Sequence, residues 1–333
     1  MKTATSILFD GEEELSFVAR ERWALWHITR ACNIECKYCY GSFSGASYKQ
    51  LGFHPMELNT AQCVDLAAKL NDHFDGVHIN GGEPLLRKDL PFILENWVAI
   101  GVRPRVWLLT NGTIRGKSLD RVVESGALDL VAVSIDSFDA QVGNSMRERS
   151  QDALRTLKRL IDKRISGSMS AHVGVYTVAH DRNVHGLREL AENLVQLGVD
   201  YVNLQPAFSP GSEGPSGSVL NSSAWEVFQD FFSILRSGSV RVSSQGARDT
   251  AKWLLSRTGK STAANCFADQ HLYTYISPNG VVFNCPVKAH VSVGQRWESA
   301  DFSVKDERRH ECGHLSVDCL GMYEMASGPM RAR

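Results

Sequence analysis

Three thiols fall within eight residues of this chain, in Cys32-Asn33-Ile34-Glu35-Cys36-Lys37-Tyr38-Cys39. Thiolates packed this closely suit a soft metal centre, and iron–sulfur clusters are held by cysteine thiolates. A four-iron cubane takes four protein ligands, and no fourth Cys stands nearby. One iron would therefore stay open to a small molecule. The competing chemistry is a zinc site built from the same three thiols and a distant His or Cys.

The eight cysteines divide into this group of three, the lone Cys63, and a tail group of Cys266, Cys285, Cys312 and Cys319. An even count would read as disulfides in a secreted protein, but Met1 to Glu14 contains no basic stretch followed by an apolar one. The division favours clusters. Cys63 sits among Ala61, Val64 and Leu66 and reads as a small buried hydrophobe. A further constellation is Asn80-Gly81-Gly82-Glu83-Pro84-Leu85. Its small residues let backbone approach a ligand, and Glu83 can accept from an ammonium. The plain alternative is a glycine turn leading into a helix with Pro84 in its first turn.

The elements that must position these residues alternate. Trp23 to Thr29 reads as a strand running into the cysteine loop, and a Gly/Ser-rich connection spans Gly41 to Gly52. A helix capped by Asn59 or Thr60 reaches Leu70, and Val77 to Asn80 is the second strand. Helices over 90–100, 119–124, 151–165 and 184–197 separate strands over 106–110, 130–135, 171–178 and 201–205. Short apolar strands alternating with helices argue for a parallel sheet with right-handed crossovers. Six such units are too few for a closed eight-fold barrel and fit an open, partial (β/α)6 TIM-like barrel. Ligands in such sheets sit beyond the carboxyl ends of the strands, where the cysteine loop falls. Residues 1–20 read as an N-terminal arm, 21–210 as the core, 211–260 as a helical connection (225–235 and 247–256) and 261–333 as a cysteine-bearing domain. In the last, Tyr273–Ile276 and Val281–Asn284 flank Ser277-Pro278-Asn279-Gly280, which predicts a β-hairpin.

Composition is that of an ordinary globular chain: 333 residues, 43% hydrophobic, 22% charged, formal net charge -1. No global field argues for nucleic acid or an anionic membrane, and no 18-residue apolar run could span one. With no export signal the expected location is cytoplasmic. No P-loop, G-x-G-x-x-G or H-E-x-x-H is present.

The C-x3-C-x2-C run, with Tyr38 before its last Cys, resembles the signature of the radical S-adenosylmethionine (SAM) superfamily. The resemblance implies that SAM chelates the open iron of a 4Fe-4S cluster held by Cys32, Cys36 and Cys39. One electron then cleaves SAM to a 5′-deoxyadenosyl radical that abstracts hydrogen from substrate. The segment 80–84 resembles the family's G-G-E motif, which implies that Gly81, Gly82 and Glu83 contact the SAM amino group. Ser134-Ile135-Asp136 is similar to a strand end that touches SAM, with Ser134 the better candidate and Asp136 a cap or turn residue otherwise. Arg147, with Arg149 as the other register, stands where related enzymes pair an Arg with the SAM carboxylate. The family also implies an adenine contact near Leu204, although a Leu at a strand end is more often plain core, and Tyr38 and Tyr40 either pack on adenine or shield the cluster. Thr110-Asn111-Gly112 would face the same mouth.

In the tail, Cys266, then Gly280, then Cys285 resembles the opening of SPASM and Twitch extensions. Cys312 and Cys319 can complete one auxiliary 4Fe-4S cluster of the shorter Twitch type; the alternatives are a four-Cys zinc site, or one Cys serving as a hydrogen-atom donor. His271, His290, His310 and His314 lie near it. The family then implies an oxidoreductase or lyase with SAM and two clusters as cofactors, fed by a flavodoxin- or ferredoxin-type reductant. About 20 residues before the first strand leave no room for a leader-binding domain, which favours a small polar substrate (a sugar, aminocyclitol or nucleoside) in natural-product or antibiotic biosynthesis. Dehydrogenation or decarboxylation suits an electron-accepting auxiliary cluster; epimerisation requires a thiol donor. The competing readings are a peptide-modifying maturase with a separate leader-binding partner, and a non-catalytic electron-transfer protein, which has no need of residues 80–84.

Overall fold

The computed structural model describes residues 22–36, 38–39, 57–101, 103–206, 222–242, 273–283, 295–300 and 302. The expected arm, the helix over 247–256, Tyr40, the four tail cysteines and the four tail histidines lie outside them.

Strand β1 (Trp23–Thr29) is followed by α1 (Thr60–Asn71), β2 (Gly76–Gly81), α2 (Leu90–Ala99), β3 (Arg105–Thr110), α3 (Lys117–Val123) and β4 (Leu130–Ser134). Then come α4 (Ala140–Met146), α5 (Ser150–Ile165), β5 (His172–Ala179), α6 (Leu187–Leu197) and β6 (Tyr201–Pro206). The order closes with α7 (Ser222–Ser237), β7 (Arg241–Val242), β8 (Tyr273–Ile276), β9 (Val281–Phe283) and β10 (Gln295–Arg296). The six strand–helix units are present. Local chemistry sets their ends: Asn59 and Gln62 make a reciprocal capping box at the start of α1, and Gly198 in the left-handed region ends α6. Helix α4 was not expected; Asp139 caps its N-terminus.

The strands among the described residues lie in one sheet, ordered β10-β9-β8-β1-β2-β3-β4-β5-β6-β7. Strands β1 to β7 are mutually parallel. The expected hairpin forms as β8 and β9, and β8 lies parallel against β1, with Trp23 opposite Tyr273 and Trp26 opposite Ile276. Lys69 of α1 holds the segment after β10, donating to the carbonyls of Trp297 (2.9 Å) and Ala300 (2.9 Å).

Strand alternation gives the sheet two faces. On β2, Val77 and Ile79 join the large helix-side core with Leu66, Leu70, Ile93 and Trp97. The opposite face carries Trp23, Leu25, Trp107, Leu130, Ala132, Tyr176, Tyr201 and Tyr275. Rings on this inner face meet across the sheet: His78 of β2 and Tyr176 of β5 lie 5.5 Å apart, Trp107 of β3 and Tyr201 of β6 5.4 Å. Strands three apart in a flat sheet stand about 14 Å from each other. The sheet therefore curls, and its inner face is the lumen of a partial barrel.

Candidate functional site

The cysteine loop leaves β1 at the carboxyl end of the strands and is fastened to β2 by backbone. Gly82 N donates to Thr29 O (2.9 Å) and Glu83 N to Ala31 O (2.7 Å). A Cβ on Gly81 would stand 2.3 Å from Thr29 O, where φ is also +138°, and one on Gly82 would stand 2.2 Å from Ala31 O. The two glycines thus admit the loop's own backbone, a reason that precedes any ligand.

Glu83 is fully buried and its side chain accepts three hydrogen bonds: Oε1 from Leu85 N (3.0 Å) and Thr110 Oγ1 (2.8 Å), Oε2 from Asn111 N (2.7 Å). About one of the four lone-pair positions of a carboxylate is left. Burial pushes its pKa up to about 7, against the lowering by these hydrogen bonds. Asn111 carries the connection onward, with Nδ2 donating to Asn33 Oδ1 (3.0 Å) and reaching Cys32 Sγ (3.9 Å). Its Oδ1 accepts from Thr113 N and Thr113 Oγ1. Glu83 therefore braces the cysteine loop through Asn111.

A second brace holds Cys36. Arg147 pairs with Cys36 in an isolated antiparallel bridge, and its Nη1 lies 3.5 Å from Cys36 Sγ. Its Nε meets Asp136 Oδ2 (3.2 Å) and its Nη2 donates to Tyr38 OH (2.8 Å), which in turn donates to Asp136 Oδ2. Asp136 Oδ1 accepts from Val178 N (2.9 Å). Arg147, expected at a ligand carboxylate, is here paired with a buried protein carboxylate, and Asp136 is a hub rather than a cap. Burial pushes the Tyr38 hydroxyl well above its usual pKa.

The three thiols are half-buried and free of disulfides. Burial raises the Cys32 pKa and pushes that of Cys36 up to about 12. Among the described residues no three His, Cys, Asp or Glu side chains close on one point as a single ion requires. Ser134, nearly buried, ends β4 on the lumen side with Ala132. Leu204 takes the plain-core reading for its side chain, which is fully buried on the helix side because alternation turns Asn203 and Gln205 to the lumen; its backbone is what remains for a ligand. Cys63 is buried within α1, its Sγ near Leu58 O. Not evident from the sequence were Asn33, which pairs with Asn111, and Glu57, whose Oε1 accepts from Arg30 N (2.7 Å) while Oε2 is buried with no partner among the described residues.

A family model described as Radical SAM superfamily matches residues 26–194. Pre-heme d1 synthase of Dinoroseobacter shibae is 31% identical over 184 residues, 53% of this chain and 41% of that protein. A probable GTP 3′,8-cyclase of Methanopyrus kandleri is 31% identical over 186 residues, 55% of this chain and 57% of that protein. The chain spans about half the length of these curated relatives. Among solved structures, Streptococcus suis SuiB aligns with a TM-score of 0.65 at 13% identity, covering 85% of this chain and 65% of that one. Native anSMEcpe with bound AdoMet gives 0.57 at 16% identity, covering 79% and 74%. At such identities the likeness is one of fold.

Proposed function

The chain belongs to the radical SAM superfamily, and from that premise we propose that it uses Cys32, Cys36 and Cys39 to hold the superfamily's 4Fe-4S cluster and the mouth around Gly81, Gly82, Glu83, Ser134 and Arg147 to hold SAM. Membership implies both groups. The residues present fit them: three disulfide-free thiols share one loop, with Asn111 and Arg147 donors at Cys32 and Cys36. Burial keeps the Cys32 and Cys36 thiols protonated in the metal-free chain, and a cationic metal would take them as thiolates with release of their protons. When bound, the cluster would supply the electron for reductive cleavage of SAM, and with it the means to abstract hydrogen from an unactivated C–H bond. The chain's part is placement. The Glu83–Asn111 brace fixes the Cys32 end of the loop, the Asp136–Tyr38–Arg147 brace fixes its middle, and the curled sheet below offers a walled lumen. The observation that carries this reading is the backbone docking of 82–83 onto 29–31, which sets the thiols beside the glycine–glutamate end of β2.

The proposed substrate is a small polar molecule, undergoing dehydrogenation or decarboxylation, or else epimerisation. The printed names of the curated relatives, which include a cyclase of GTP, support a small molecule over a peptide. A peptide substrate with a separate leader-binding partner is the alternative. An auxiliary cluster on Cys266, Cys285, Cys312 and Cys319 and a flavodoxin- or ferredoxin-type reductant complete the proposal. No helix among the described residues is long and apolar enough to cross a membrane. The deciding experiment is anaerobic reconstitution followed by dithionite and SAM: the wild type forms 5′-deoxyadenosine and Cys36→Ala does not. Equal formation by the variant would refute the assignment of the loop.

A further inference from the structure

Below the mouth, the lumen holds polar atoms that no described residue satisfies. On β2, His78 is 0% exposed and neither ring nitrogen has a partner; Asn80 is 5% exposed and its Oδ1 has none. The indole N–H of Trp107 on β3, 1% exposed, is also without one. Val77 and Ile79 belong to the helix-side core, so His78 and Asn80 project to the other side, into the barrel. A buried polar group left unpaired costs about 1–3 kcal/mol, and most buried polar groups in folded proteins are paired. Four such atoms, on three residues of two adjacent strands, therefore point to a ligand.

The surroundings are aromatic walls with a few converging polar groups, the chemistry that small-molecule sites use. Tyr176 stands 5.5 Å and Trp107 6.1 Å from the His78 ring. His27, opposite Asn80 on β1, packs edge-on to Tyr275 at 4.7 Å, and its Nδ1 lies 3.2 Å from Tyr275 OH. Asn80 directly precedes Gly81, so this floor lies on the same strand as the mouth, one residue inside it.

We propose that His78, Asn80 and Trp107 form the floor of the substrate pocket and bind an uncharged group that both donates and accepts hydrogen bonds, such as a nucleobase edge, a hydroxyl pair or an amide. The inference rests on the radical SAM reading and adds the class of substrate. Asn80 Oδ1 asks for a donor, the Trp107 N–H for an acceptor, and a neutral imidazole supplies one of each. Burial holds both His27 and His78 neutral, with pKa values pushed down to about 3, so the floor offers no cation to a phosphate or carboxylate. Buried charge without a partner is strongly disfavoured.

The test uses the reconstituted enzyme with SAM and three probe pairs: guanosine and guanosine monophosphate, myo-inositol and its monophosphate, N-acetylglucosamine and its 1-phosphate. Calorimetry measures binding to the wild type, His78→Phe, Asn80→Leu and the conservative His78→Gln. The expected result is that at least one neutral probe binds, at least tenfold more tightly than its phosphorylated partner. His78→Phe and Asn80→Leu each weaken it at least tenfold, His78→Gln by less, and neither apolar variant lowers Tm, since each removes an unsatisfied group. The proposal is overturned if no neutral probe binds, if a phosphorylated probe binds more tightly, or if the variants bind like the wild type. It is also overturned if the apolar variants unfold or lose several degrees of Tm, which would mean that buried water or the fold satisfies these atoms. Formation of 5′-deoxyadenosine by the wild type reports on the radical SAM reading separately, so the two can fail independently.

Discussion

Replacing Glu83 by Gln tests the brace beneath the cysteine loop. A Gln side chain keeps one acceptor oxygen, which can serve Leu85 N and Thr110 Oγ1, but sets its own NH2 against Asn111 N. An unmet buried amide costs about 1–3 kcal/mol. The wild-type carboxyl carries a cost of its own, because burial raises its pKa from 4.5 to about 7 in the folded state. A raised folded value means that its contribution to stability is full below the unfolded pKa and is lost as pH rises through the folded one. The difference between 4.5 and about 7 amounts to about 3 kcal/mol. Gln does not titrate. Glu83→Gln should therefore be less stable than the wild type by about 2 kcal/mol near pH 5 and should match or exceed it near pH 8. Urea unfolding of the SAM-free protein across that range reads the difference. A gap that is constant with pH, or that widens as pH rises, would refute the reasoning.

Gly82→Ala should push Ala31 and the loop outward, since the added Cβ falls 2.2 Å from Ala31 O; the expected result is poor cluster retention, read as iron-to-protein ratio, with a folded far-ultraviolet spectrum. Arg147→Gln strands Asp136, whose side chain is 1% exposed, and should cost about 3–5 kcal/mol in chemical unfolding. Adding Asp136→Asn should recover part of that loss, and a double variant no more stable than the single would remove the buried pair from the account. Reconstituted wild type should carry about eight irons per chain if both clusters form; about four would sink the tail cluster.

Much of the barrel was legible because its strands are short apolar runs, such as Leu130-Val131-Ala132-Val133, separated by helical stretches. The cysteine loop and the 80–84 segment were legible as chemistry because thiol spacing and paired glycines are rare without cause. Partners were not. Arg147 announces a cation, but its pairing with Asp136 and Tyr38 depends on how the residues after β4 fold back over the loop. The face Leu204 takes was not legible: strand parity sends its side chain to the helices, and parity is fixed only once a neighbour such as Tyr201 is known to point inward. Helix α4, seven residues with a Gly and an Asn, is too short to show a period. The hairpin was local and readable, whereas its docking on β1 is a contact no window of sequence contains.

That docking ties the start of the chain to its far end. Strand β1, which delivers the thiols, has β2 on one side and β8 on the other, with Trp23 beside a residue some 250 positions later. A nascent chain that has made β2 through β7 still presents β1 as an open edge, its N–H and C=O groups unpaired on one side. Contacts of such sequence separation form slowly, and partly made sheets are prone to wrong pairing. Assembly order thus becomes part of this protein's chemistry: a chain lacking β8 would keep all three thiols yet hang them from an unfinished edge.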